Sequence, residues 1–203
     1  MNLNLGDTQL IITEAKNKGV LRNQLAYILA TAYHETAHTM KPVKEYGGET
    51  YLRSKKYYPY VGRGYVQLTW DYNYKKASDK LRVDFIKNPA LLLEARYSVP
   101  IIIIGMTEGW FTGKKLSDYI TLQKSDFVGA RRIVNGTDKA DLIAGYAKAY
   151  DTDLKLVGYG EGTPIFIPTE PIINVDTPIP KPIETPPTSL LGLLIAFIKG
   201  LSR

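Results

Sequence analysis

Apolar positions recur with helical period along most of the first 158 residues. Leu10, Ile11 and Ala15 predict a first helix from a cap at Asp7 or Thr8 to about Lys18, with Gly19 ending it. Leu21, Leu25, Ile28, Leu29 and Ala32 form one stripe at i, i+4, i+7, i+8 and i+11, predicting a second helix from Leu21 to about Thr39. Lys41-Pro42 stops it. Residues 44 to 68 lose this period and read as loop and short strand, with Gly47-Gly48 and Gly62-x-Gly64 allowing tight turns. A helix is predicted over 71–80 and another start at Asn88-Pro89. The run from Ala90 to Trp110 is strongly apolar, and Pro100 within it predicts a kink or break. Ile101 to Ile104 read as buried core, too short a run to cross a bilayer. Helices over 125–134 and 139–156, separated by Asn135-Gly136, complete a mainly α fold with a short loop/β region.

The pattern changes at about Gly158. Eight of the twelve prolines lie between Gly160 and Thr188. The expected organisation is a catalytic domain over 1–158, an extended linker over 159–188 and an apolar, basic tail over 189–203. Nine uncharged residues from Leu190, followed by Lys199 and Arg203, suit an interfacial segment better than a span. Contact with anionic membrane or lipopolysaccharide, or packing on a second copy, are the expectations for it.

Composition narrows the function classes. Hydrophobic residues at 44% and charged residues at 23% suit a globular protein of 203 residues. The net charge of +6 favours polyanions, but no lysine- or arginine-rich run points to nucleic acid. The absence of cysteine excludes disulfides, thiolate metal sites and a cysteine nucleophile. Met1 to Asp7 carry no secretory pattern, so synthesis in a cytoplasm is expected, with a cell wall on the far side as the place of action.

Acids, amides and aromatics concentrate between Ala30 and Tyr74, with eight of the fifteen tyrosines between Tyr46 and Tyr74. Two chemistries overlap there. His34-Glu35-x-x-His38 is formally a zinc motif, in which histidines one turn apart share a metal. With only two histidines in the chain, a distant carboxylate such as Glu94 or Glu108 would have to complete the site. The alternative is glycoside hydrolysis by two carboxylates. At 100° per residue Glu35 lies about 55° from the centre of the apolar stripe, while both histidines lie well over 100° away. That places Glu35 at a buried edge, where a carboxyl can keep a proton and serve as an acid. Glu45, or in competition Glu49, supplies the second carboxylate.

The segments His34-Glu35-Thr36, Gly62-Arg63-Gly64-Tyr65-Val66-Gln67-Leu68-Thr69 with Tyr72-Asn73-Tyr74, and Arg131-Arg132-Ile133-Val134-Asn135-Gly136 resemble glycoside hydrolase family 19. The resemblance covers about residues 20 to 155 and is closer to the phage endolysins of that family than to its chitinases. It implies a lysozyme-like α-helical domain with the short loop/β region beside a cleft. It implies an inverting mechanism with Glu35 as general acid, Glu45 as general base and Thr69 holding the attacking water. Tyr60, Arg63, Gln67, Asn73 and Asn135 match substrate-binding or cleft-organising positions. His34 matches a structural residue bracing the helix through a hydrogen bond, and His38 matches no role. Where plant members carry an arginine in the last helix this chain has Leu142, which counts against a plant-like cleft and against chitin. The expected substrate is the β-1,4 bond between N-acetylmuramic acid and N-acetylglucosamine in peptidoglycan, with a chitinase as the alternative. A carboxylate separation of about 6.5 to 9.5 Å is expected for inversion. No cofactor and no metal are expected.

Overall fold

The computed structural model describes residues 1–160. Helix α1 (Thr8–Asn17) buries Thr8, Ile11 and Ala15. Leu10, expected inward, is 53% exposed, because the buried stripe runs through i, i+3 and i+7 from Thr8 and leaves it outside. Asp7 precedes the helix but gives it no side-chain cap. Its carboxylate accepts instead from Lys41 Nζ at 2.7 Å and from the Tyr65 hydroxyl at 2.7 Å. The chain leaves α1 through Gly19 at φ +63°, as the glycine predicted.

Helix α2 (Arg22–Glu35) is the centre of the fold. Every residue from Leu25 to Ala32 is buried, so the predicted stripe is only one side of an enclosed helix. The helix ends at Glu35, four residues short of the predicted Thr39. Ala37 and His38 adopt φ of +49° and +67°, outside helical space for residues with a side chain. Thr36 holds this turn. Its hydroxyl donates to the Ala32 carbonyl at 2.7 Å and accepts from the Met40 N–H at 3.0 Å. The Met40 carbonyl then accepts from the Asp7 N–H at 2.8 Å. Gly6 lies against this turn at φ +52°, and a Cβ there would stand 2.5 Å from the Thr39 carbonyl oxygen and 2.6 Å from that of Met40. Gly6→Ala is therefore expected to destabilise the fold by about 1–3 kcal/mol, read as a lower denaturant midpoint with unchanged slope.

Strands β1 (Val43–Lys44) and β2 (Arg63–Gly64) pair antiparallel, Val43 with Gly64 and Lys44 with Arg63. Between them lies α3 (Glu49–Arg53), a short helix with no counterpart in the apolar pattern. Helix α4 (Asp71–Leu81) follows as predicted and stops at Arg82, φ +55°. A 3-10 turn, Pro89–Leu93, leads into α5 (Ala95–Glu108). Pro100 does not break α5: it lies in the second turn and forfeits only the bond to the Arg96 carbonyl. Ile101 to Ile104 are all buried because α5 divides two clusters. Ile102 and Ile103 join the main core with α1, α2 and the last helix, whereas Ile101 and Ile104 join Leu68, Tyr74, Leu81, Phe85 and Trp110.

After the four-residue α6 (Leu116–Tyr119), the helix predicted over 125–134 is only a 3-10 turn, Gly129–Ile133. The last described helix, α7 (Ala140–Leu156), lies along α2. Tyr159, assigned to the linker from sequence, belongs with the helical unit. Its ring is buried and its hydroxyl donates to the Val20 carbonyl at 3.0 Å. Residues 161–188 of the predicted linker and the whole tail lie outside the described residues. The architecture is mainly α with one small β ribbon.

Candidate active site

Glu35 is the last residue of α2, at the end where unpaired carbonyls leave partial negative charge. Its side chain is 20% exposed. Its Oε1 accepts from Nη1 of Arg131 at 2.7 Å, and the arginine side chain is only 3% exposed. Arg131 Nε donates to the Asp138 carbonyl at 2.9 Å, and the Arg131 carbonyl accepts from the Asn135 N–H at 3.0 Å. An apolar wall alone does not surround Glu35, as the stripe predicted; a buried cation meets it. Asn135 reaches this half of the site through its backbone. Its exposed side chain accepts from the Gly136 N–H at 2.8 Å and shapes the turn.

The zinc geometry is not formed. A shared metal needs both histidines on one helical face, but the helix ends before His38. His38 stacks on Tyr33 with centroids 4.3 Å apart, and the Tyr146 hydroxyl lies 3.5 Å from its Nε2. Burial, opposed by Glu35 and helped by Arg131 and His38, holds His34 below the usual histidine value. The side-chain hydrogen bond expected of His34 is not made among the described residues; Thr36 braces the helix end instead.

Glu45 follows β1 and is held from both sides. Its N–H donates to the Gly62 carbonyl at 2.7 Å. Its Oε2 accepts from the Gly62 N–H at 3.0 Å, and its Oε1 from the Tyr57 hydroxyl at 2.8 Å. That hydrogen bond is the main reason the Tyr57 phenol is pushed up to about 12, since its anion would face a carboxylate. A raised tyrosine value favours the protonated folded form: the contribution is full below the ordinary value near pH 10 and is lost as pH rises through about 12. Glu45→Gln is therefore expected to bring one tyrosine titration back toward pH 10, measured by phenolate absorbance. Glu49, the competing carboxylate, opens α3 in the open. It accepts from Tyr58 at 3.1 Å and Arg53 at 3.0 Å, and the Tyr58 hydrogen bond above all holds it below the usual carboxylate range.

The Gly62 to Tyr74 stretch builds the loop behind Glu45. A Cβ at Gly62 would come within 2.8 Å of Gln67 Oε1, so a side chain there would push the Gln67 amide aside. Gln67 ties the ribbon together by donating to the carbonyls of Val43 at 3.0 Å and Gly64 at 3.3 Å. Thr69 donates to the Gln67 carbonyl at 2.7 Å, which leaves its hydroxyl oxygen able to accept. Asn73 donates to the Thr69 carbonyl at 2.8 Å. Arg63 donates to the Tyr74 hydroxyl at 2.7 Å and to the Pro59 and Val61 carbonyls. The predicted binding residues Arg63, Gln67 and Asn73 thus spend these donors on the loop itself.

Beside this loop lie two cavities that share Tyr60 and Asp71. One, of about 260 Å³, is lined by Lys56, Tyr57, Tyr58, Tyr60, Trp70 and Asp71. The other, of about 330 Å³, is lined by Tyr60, Asp71, Tyr72, Lys75 and Ile86. Trp70 and Tyr72 stack with centroids 6.1 Å apart and are 39% and 62% exposed. Neither glutamate lines either cavity; Tyr57 is the link to Glu45. The structure therefore gathers Glu45, Tyr60, Arg63, Gln67 and Thr69 on the ribbon and its loops, Asn73 in the first turn of α4 beside them, and Glu35 with the Asn135 turn through Arg131. Asp7 joins these two groups, bonded to Met40 beyond the end of α2 and to Tyr65 in the loop. Arg131, Asp7 and Tyr57 carry no signal in spacing, since each matters through a partner distant in sequence.

The chain is similar to plant endochitinases. An acidic endochitinase of Dioscorea japonica is 32% identical over 129 residues, 59% of this chain and 49% of that protein. Chitinase 11 of Oryza sativa subsp. japonica is 34% identical over 130 residues, 51% of this chain and 48% of that protein. The chain thus spans about half the length of the curated relatives it matches. Among solved structures, chitinase C from Streptomyces griseus aligns with a TM-score of 0.49 at 20% identity, covering 73% of this chain and 80% of the other. No family model matches the chain.

Proposed function

We propose that the protein is a glycoside hydrolase acting on β-1,4-linked polymers of N-acetylglucosamine, with inversion. Glu35 protonates the leaving oxygen. Glu45, steadied by Tyr57 and the Gly62 N–H, takes a proton from water that the Thr69 oxygen helps to orient. Tyr60, Trp70 and Tyr72 offer ring faces to successive sugars along the two adjoining cavities. The observation that carries the reading is the contrast between two glutamates on separate elements, one at a helix end and one held on both oxygens by Tyr57 and the Gly62 N–H. Chitin is the first substrate in this proposal, favoured by similarity to plant endochitinases over more than half of the chain.

Peptidoglycan is the second reading, and local charge favours it. Residues 41–80, which carry Glu45 and both cavities, hold nine lysines and arginines against four aspartates and glutamates. That excess suits a glycan bearing carboxylates more than neutral chitin. An endolysin role, with the tail at a membrane, belongs to this reading. The test is digestion of purified chitin and purified peptidoglycan, with and without chelator, followed by product analysis. New reducing ends that first appear as the α-anomer are expected, unaffected by chelator. Cleaved peptide bonds, β-anomeric first products or loss of activity in chelator would refute the proposal.

A further inference from the structure

Arg131 is a buried cation that touches the proposed acid and comes from an element 96 residues away. A buried ion pair is a poor stabiliser, because desolvation offsets the attraction. Its geometric effect is large. The guanidinium is fixed at two points, Nε on the Asp138 carbonyl and Nη1 on Glu35 Oε1, so its plane cannot swing. Only one oxygen of Glu35 is thereby held. Among the described residues no donor reaches Oε2, and the side chain keeps 20% of its surface open.

We propose that Arg131 is the positioning residue of Glu35: by fixing Oε1 it presents Oε2 as the oxygen that delivers the proton. The inference rests on the glycosidase reading and deepens it. It also gives the Asn135-Gly136 turn a place in the site, since Asp138 and Asn135 both bond the arginine that aims the acid. The acid's aim is then set by the turn before α7, not by α2 alone.

The test is a kinetic cycle in the full chain, with hydrolysis of a soluble N-acetylglucosamine oligosaccharide as the readout. Arg131→Met is expected to lower kcat about 10²-fold with KM changed less than about twofold, the signature of a misaimed group and not of lost binding. Arg131→Lys keeps the charge but cannot hold both acceptors, and should recover only part of that loss. Adding Arg131→Met to Glu35→Gln should cost no further kcat, because the arginine acts through the glutamate. Wild-type kcat in Arg131→Met, or a further loss on the Glu35→Gln background, would overturn the inference while leaving the glycosidase reading intact. Should Arg131→Met fail to fold, Arg131→Lys decides alone, and wild-type kcat in it overturns the inference. Full activity in Glu35→Gln would instead sink the glycosidase reading and this inference with it.

Discussion

Glu35→Gln is expected to lower hydrolysis by about 10²–10⁴-fold with little change in the unfolding transition. The amide preserves the volume of the side chain, and its carbonyl oxygen can still accept from Arg131 Nη1, so the end of α2 keeps its anchor. What is lost is the transferable proton. An amide does not protonate a glycosidic oxygen, and the leaving sugar would depart as an alkoxide. Folding is to be followed by denaturant midpoint and activity by release of reducing ends. A variant that folds and still hydrolyses at the wild-type rate would remove Glu35 from the mechanism.

Glu45→Gln should be as damaging to rate, whereas Glu49→Gln should leave the rate near wild type. The two differ in their surroundings more than in their spacing from Glu35. Glu45 accepts from two donors, the Tyr57 hydroxyl and the Gly62 N–H. A glutamine there can keep its carbonyl on the Gly62 N–H and donate its NH₂ to the Tyr57 oxygen, so the fold should change little while the base is lost. Glu49 lies in an exposed pair with Arg53, of the kind whose removal costs little. The comparison of the two variants therefore decides which carboxylate activates water. A rate unaffected by Glu45→Gln and abolished by Glu49→Gln would reverse the assignment.

The longer helices were legible from sequence: α1, α4 and α7 lie close to their expected ranges, α2 ends four residues early, and the start expected at Asn88-Pro89 is a 3-10 turn ahead of α5. The misses have identifiable causes. Helix α3 and helix α6 are too short to show a period. The end of α2 was misplaced because it depends on tertiary bonds, Thr36 to Met40 and Met40 to Asp7, and on left-handed residues that are not glycine. Pro100 looked like a breaker, yet the burial of four consecutive isoleucines outweighs one lost hydrogen bond. The sequence singled out both glutamates, and the structure puts Glu35 at the end of α2 and Glu45 against Gly62 and Tyr57. Gln67, Asn73 and Arg63 were expected as substrate-binding or cleft-organising residues, and a sequence does not reveal that their donors would be used on backbone carbonyls. Arg131 was visible only as part of a motif, since arginine is ordinarily a surface residue and its partner lies on another element.

The enclosure of α2 bears on how the molecule breathes. Amide protons from Leu25 to Ala32 lie in an unbroken buried run, so their exchange with solvent should require opening of the whole unit. The loop carrying Glu45 is closed by two strands of two residues each, and far smaller excursions should expose its amides. One carboxylate therefore sits on an anvil and the other on a hinged jaw. In the proposed reaction the Glu45 side is therefore the one able to yield to an incoming sugar chain while the Glu35 side stays fixed.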